Sequence, residues 1–320
     1  MSSVRWLAGV AGLAAVGTVA GVSIARSLTL RVSKEDPYAG EDFELLDADR
    51  SSVITTDDGV PLAVREVGPK DAKLTVVFAH GFCLRMSAFH FQRARLAEQW
   101  GDQVRMVFYD QRGHGRSGEA PPDTYTVEQL GRDLESVLAV TAPRGPVVLV
   151  GHSMGARIAI RAGGAQPPGL RRIVAVDPPV SGPGRRPYPA KLPWYVDSIR
   201  QSLIGMTADD MRAFCPTWTG EQLALRAEWL HTCYEPAIVR SFEDFQKDDI
   251  HADLPRLAVP LLLMTAERGD VVRDTDVAEI RGLAPDTRHV RVPGAGHMIP
   301  WDNEEGFYQA FGDFLGAPLD

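Results

Sequence analysis

The sequence predicts an α/β fold: a mostly parallel, doubly wound sheet with a helical cap inserted after the strand that ends at Asp177. Three observations carry this. Continuous apolar runs of strand length alternate with amphipathic stretches of helical period, as in a parallel sheet covered on both faces. One such run, Val147-Val148-Leu149-Val150, passes without a spacer into Gly151-His152-Ser153-Met154-Gly155 and then into the helical Ala156-Arg157-Ile158-Ala159-Ile160. The rhythm breaks between residues 178 and 255 and resumes at Leu261 to Met264, as an insertion into an otherwise regular domain would read.

Taken in order, Val53 to Thr56 and Leu62 to Val67 form a hairpin through Asp57-Asp58-Gly59, where acidic residues and a glycine suit a tight turn. Leu74 to Ala79 is a buried strand, Ser87 to Trp100 a helix, Val104 to Tyr109 a strand and Val127 to Ala142 a helix. After the strand Val147 to Val150 and its helix comes the strand Ile173 to Val176. The insertion opens on Pro178-Pro179 and a Pro/Gly/Arg-rich stretch, then turns helical at Trp194 to Leu203, Ala208 to Phe214 and Glu221 to Phe245. Its Trp194, Tyr195, Trp218, Trp229 and Tyr234 are expected to pack on each other and on the sheet edge. Leu261 to Met264, a helix near Asp274 to Leu283, the strand His289 to Val292 and a last helix complete the domain. The organisation is therefore an apolar leader over 1–31, a linker over 32–50, a core over 51–177 and 256–320, and a cap over 178–255.

Within the leader, Trp6 to Ala25 is a run of 20 uncharged residues flanked by Arg5 and Arg26. At about 1.5 Å per residue such a helix spans a hydrocarbon layer of roughly 30 Å. It reads as an uncleaved anchor, and the rival is a cleaved signal ending at Ser23-Ile24-Ala25. Membrane association through residues 6–25 is the resulting expectation, with cytoplasmic or secreted localisation as alternatives. A net charge of −8 argues against nucleic-acid binding, which needs clustered Lys and Arg. Three cysteines, none in a Cys-x-x-Cys pair, suit neither a disulfide framework nor a zinc site. No histidine pair has metal-ligand spacing and Gly151 to Gly155 lacks a dinucleotide fingerprint, so no cofactor and no metal is expected.

The chemistry points to Ser153. A serine in a Gly-x-Ser-x-Gly turn between strand and helix is held in strained backbone with its hydroxyl above the sheet. Serine needs an imidazole to take its proton. His297, in the Gly-rich loop Pro293-Gly294-Ala295-Gly296-His297 after the last strand, is placed to reach back over the strand ends. The imidazole in turn needs a carboxylate. Asp177 ends one strand and Asp270 follows a later one, and both satisfy the chain order Ser, Asp, His. A later-strand acid in the common Gly-x-x-Asp spacing would fall at 269, which is glycine, so pattern alone leaves the choice open. Backbone N–H groups of Met154, after the serine, and of Phe82, after the strand Leu74 to Ala79, are the expected oxyanion donors. Asp110 to Ser117 lacks the Gly-Lys-Ser/Thr of a phosphate loop and reads as structural, with Asp110 and Arg112 tying the turn to its neighbours.

Together, His80-Gly81, the Asp110 to Ser117 loop, the turn at Ser153 and the late His297 resemble the α/β-hydrolase family over residues 50–320. From residue 150 onward, Gly151 to Arg157, Val176 to Arg186, Lys191 to Arg200, Ala224 to Pro236 and Gly296 to Asp302 resemble the N-formylmaleamate deformylases of nicotinate degradation. That resemblance implies that Asp177 is the acid, with Asp270 the alternative, and that a formyl amide is cleaved through a formyl-enzyme. The small-molecule substrate implied is anionic, so an arginine of the cap is expected at its carboxylate, with Arg185, Arg186 and Arg200 as candidates. Residues 1–149 instead resemble membrane-anchored actinobacterial esterase- or lipase-like hydrolases. A membrane-anchored carboxylesterase with the same three residues is the second reading, and a non-catalytic binding protein on a hydrolase scaffold the third.

Overall fold

The structure, a computed structural model, describes residues 48–142 and 145–316. The apolar leader and residues 32–47 of the linker lie outside the described residues. The elements run β1 (Arg50–Thr55), β2 (Pro61–Val67), β3 (Leu74–Ala79), α1 (His90–Trp100), β4 (Val104–Tyr109), α2 (Val127–Thr141), β5 (Val147–His152), α3 (Met154–Gly164) and β6 (Leu170–Val176). Then follow α4 (Leu192–Ile204), α5 (Ala208–Met211), α6 (Gly220–Leu230), α7 (Glu235–Lys247), β7 (Leu261–Ala266), α8 (Asp274–Leu283), β8 (Thr287–Val292), α9 (Ile299–Asp302) and α10 (Glu304–Leu315).

The eight strands form one sheet in the order β1-β2-β4-β3-β5-β6-β7-β8. The β1–β2 and β2–β4 pairs are antiparallel and the rest parallel. Period-2 alternation sends Val77, Val107, Leu149, Ile173 and Leu263 to one face, with residues of α2, α3 and α8. Phe78, Phe108, Val150, Val176 and Met264 go to the other face, against α1 and α10. Phe78 and Phe108 stack there with ring centroids 4.7 Å apart, and burying each such side chain contributes about 1.5–3 kcal/mol. Because both faces are covered, β4, β5 and β7 are buried along their whole length. The carboxyl ends of β5, β6 and β7 lie side by side, and the residues that follow them share one edge.

Two helices differ from expectation. The helix expected from Ser87 begins as a 3-10 turn over Met86–Phe89, and regular α1 starts at His90. The single helical run expected over Glu221 to Phe245 is two helices, α6 and α7. Pro236 lies in the first turn of α7, where its missing N–H costs nothing. Just before it, the Tyr234 N–H leaves the helical path to bond the Gly113 carbonyl of the core at 2.8 Å.

Between β6 and β7 the cap is fastened to the core through α3. Arg157, completely buried, donates to the carbonyls of Pro179 (2.9 Å), Ser181 (3.1 Å) and Asp248 (2.5 Å). One guanidinium thus holds the first and last stretches of the insertion against the helix that follows Ser153. Burial pulls its pKa down to about 10, still far above neutrality. Arg161, one turn on, pairs with Asp253 at 2.5 Å and Asp248 at 3.0 Å.

Candidate active site

β5 ends at His152, and Ser153 turns the chain into α3 with φ 54° and ψ −118°, outside the comfortable range for a residue with a side chain. The turn closes only because its flanks are glycine. A Cβ on Gly151 would overlap the Gly155 carbonyl, and one on Gly155 the Ala79 carbonyl of β3. The Ser153 N–H is fixed to the Val176 carbonyl at 2.8 Å. Asp177, the residue after β6, also has positive φ, 49°, and its N–H bonds the Met264 carbonyl of β7 at 2.8 Å. Its carboxylate is 1% exposed and also accepts the Ala266 N–H at 3.3 Å.

His297 arrives on the loop after β8. The Arg268 N–H bonds the Ala295 carbonyl at 2.9 Å, and the Gly296 N–H bonds Asp302 at 2.7 Å. His152 Nε2 bonds the His297 carbonyl at 2.8 Å. The imidazole then bridges two partners: Nδ1 lies 2.7 Å from Asp177 Oδ2, and Nε2 lies 2.9 Å from Ser153 Oγ. An ionised carboxylate only accepts, so Nδ1 carries the proton and Nε2 is left to accept from the hydroxyl. This line of contacts is what proton abstraction from a serine requires.

Three other histidines near the site are buried and held neutral. Burial drives His80 down to about 4 and His152 down to about 3, the latter also disfavoured by His297. His114 falls to about 3 through burial and the neighbouring His80. His80 keeps its place between the Gly81 carbonyl at 2.9 Å and the Gln111 N–H at 3.0 Å. The Asp110 to Ser117 loop is a scaffold. Asp110 accepts the N–H groups of Met86 (2.7 Å) and Arg116 (2.9 Å). Arg112, fully buried, pairs with Asp133 at 2.6 Å and Asp58 at 2.8 Å.

Above Ser153 lies a cavity of about 340 Å³. Ser153 and His297 form its floor, Tyr188, Trp194, Tyr195, Phe214 and Trp218 of the cap its walls, and Phe82 contributes a side chain. The cap aromatics therefore both pack and face the site: Tyr195 lies edge-on to Phe82 at 4.8 Å and to Trp194 at 4.8 Å. Trp229 is buried away from the cavity against Trp301, and Tyr234 lies elsewhere, near Tyr125. Phe82 and Met154 flank the floor, and no hydrogen bond occupies the N–H of either among the described residues.

Several expectations are corrected. Asp270 does not approach His297: its half-exposed carboxylate is held by Arg273 at 2.6 and 2.8 Å, which keeps its pKa below the usual range. A Cβ on Gly269 would lie 3.8 Å from Asp177 Oδ2, so position 269 adjoins the acid supplied by β6. The place a later-strand acid would use is already filled from β6. Nor do the three expected cap arginines face the cavity. Arg185 pairs with Asp249 and Glu279, Arg186 with Asp276, and Arg200 with Glu235. The cations that line it are Arg226 of α6 and Arg268 after β7. The sequence signal for Arg226 is a charge inside the apolar run Leu223-Ala224-Leu225-Arg226-Ala227.

Residues 76–310 match the alpha/beta hydrolase family. The chain belongs to that family. It is 56% identical over 224 residues to N-formylmaleamate deformylase of Pseudomonas putida, a match covering 70% of this chain and 83% of that protein. It superposes on the solved N-formylmaleamic acid deformylase of Pseudomonas putida S16 with TM-score 0.73 and 41% identity, over 82% of this chain and 100% of the other. A more distant relative, 2-(acetamidomethylene)succinate hydrolase of Mesorhizobium japonicum, is 26% identical over 81% of this chain and 92% of its own length. This alpha/beta hydrolase is thus an enzyme of hydrolysis. The membrane anchor expected from residues 6–25 is withdrawn. That segment lies outside the described residues, no helix among the described residues is long and apolar enough to cross a membrane, and the deformylase match lends an anchor no support.

Proposed function

We propose that this chain removes the formyl group of N-formylmaleamate by a serine mechanism. The observation that carries the reading is the 56% identity to the Pseudomonas putida deformylase across 83% of that enzyme. The line Ser153 Oγ, His297 Nε2, His297 Nδ1, Asp177 Oδ2 supports the mechanism.

Ser153 Oγ attacks the formyl carbon while His297 Nε2 takes its proton. The new oxyanion is received by the N–H groups of Phe82 and Met154, the donors expected on either side of the serine. Asp177 holds His297 in the required tautomer and stabilises the imidazolium. His297 then delivers the proton to the amide nitrogen, the C–N bond breaks, and maleamate leaves a formyl ester on Ser153. Water, deprotonated by the same imidazole, attacks that ester; formate departs and Ser153 recovers its proton. The cavity of about 340 Å³ suits a small acyl amide.

Formate release from N-formylmaleamate, measured beside acetyl and butyryl esters, tests the reading. Preference for the formyl amide is the expected result, and ester turnover without formate release from the amide would overturn it in favour of a carboxylesterase.

A further inference from the structure

Among the described residues, Arg226 is the one cation lining the cavity with no carboxylate at ion-pair distance. Its residue exposure is 4% and it lines the cavity, yet among the described residues no carboxylate lies within ion-pair distance of it. It donates to the Cys83 carbonyl, which leaves most of the five N–H donors of its guanidinium for other partners. Burying a cation without a counter-charge is costly, and proteins retain one where something else supplies the charge. The other arginines of the cap show the contrast: Arg185, Arg186 and Arg200 all have acidic partners. Arg268, the second cation at the cavity, is half exposed with Asp302 3.9 Å away, so solvent and a nearby acid both weaken its pull on a ligand.

The position of Arg226 is as telling as its charge. Cys83 directly follows Phe82 and has positive φ, 55°, so the carbonyl that Arg226 grips belongs to the strained loop bearing one expected oxyanion donor. A ligand anion on Arg226 would therefore sit beside that loop.

We propose that Arg226 is the carboxylate anchor of this site, so that the enzyme selects acyl amides whose departing portion carries a negative charge. The proposal deepens the deformylase reading and rests on it for the substrate. Attraction between a bound carboxylate and a guanidinium shielded from water is stronger than at the rim, because less solvent screens it. Arg226 thereby separates an anionic formyl amide from its neutral ester, which fills the same space.

The test compares kcat/KM for N-formylmaleamate with that for its neutral methyl ester. The wild type is expected to favour the anion, and Arg226→Gln, which keeps a donor for the Cys83 carbonyl while removing the charge, to lower that preference roughly 10- to 100-fold. Arg226→Lys should retain part of it, and Arg268→Met most of it. A parallel arm needs no turnover: calorimetry of maleamate and neutral maleamide binding to wild type and to Arg226→Gln, with a cooperative melt confirming that the variant is folded. The anion should bind more tightly to the wild type, and the variant should lose that difference. An unchanged preference in Arg226→Gln, or its collapse only in Arg268→Met, overturns the proposal. Absence of formate release by the wild type would sink the deformylase reading alone, and the binding arm would still decide the role of Arg226.

Discussion

At the strand ends, Ser153 and Asp177 are placed by the main chain, while the cap above them is held mainly by side chains. Ser153 and Asp177 each follow a parallel strand, each has positive φ, and each N–H is pinned to the carbonyl of the neighbouring strand. The cap instead hangs on guanidinium groups, with Arg157 gripping carbonyls at both its ends and Arg161 holding Asp248 and Asp253. Main-chain placement leaves little freedom, because altering it means breaking the sheet. Side-chain placement lets a roof be rebuilt without disturbing the floor, so chemistry resides in one region and selectivity in the other.

Substitutions on the floor should separate the regions most widely. Ser153→Ala is expected to lower kcat at least about 10⁴-fold with little change in melting temperature. Retained turnover would remove the serine mechanism. Asp177→Asn should cost about 10⁴-fold through the wrong tautomer of His297, whereas Asp270→Asn, which breaks only a surface pair, should stay within about twofold. Equal losses in the two would erase the distinction between the buried and the exposed acid.

Next in size is the seam. Arg157→Met would strip the donor from three carbonyls at once, and a loss of about 2–4 kcal/mol of stability is expected from denaturant titration. If the cap is the separable region, that loss should come with early proteolytic cleavage within residues 178–255 while the core persists. Simultaneous loss of both would blur the contrast.

The last contrast is in pH. His80, His114 and His152 have folded-state pKa values of about 4, 3 and 3, below the ordinary value of 6.5. The unfolded chain therefore binds more protons than the folded one between these limits. Stability is fully present above pH 6.5 and declines as pH falls through the window toward the folded values. The slope is at most about 1.4 kcal/mol per pH unit for each histidine. Melting temperatures recorded from pH 7.5 to 5 would reveal it, and a flat profile would mean that these rings are not held neutral. His152 lines the cavity itself, and His80 and His114 are buried against each other, so the decline should track the floor.

What could be read from the sequence follows the same divide. The Gly-x-Ser-x-Gly turn, the sheet rhythm and the Gly-rich loop before His297 have local signatures because backbone geometry demands particular residues there. Asp177 and Asp270 could not be separated by pattern, since both follow strands in the right chain order. Their difference lies in what surrounds them, the β7 backbone in one case and Arg273 in the other. Arg185, Arg186 and Arg200 are cap cations in sequence, but their acidic partners, Asp249, Glu279, Asp276 and Glu235, come from distant segments. The cavity side of α6 exists only once the helix docks, so the charge inside the apolar run Leu223 to Ala227 marks Arg226 without showing that it faces the cavity. The helix break before Pro236 was more accessible, because proline in a long helical run is itself a boundary signal.

The 3.8 Å between a Cβ at position 269 and Asp177 Oδ2 means that any side chain there would start beside the acid. A carboxylate at 269 would extend toward Asp177, and two acids facing one pocket disfavour each other's charged form, which would impair the one that steadies the imidazolium. Glycine at 269 keeps that second seat empty, and the site commits to a single carboxylate.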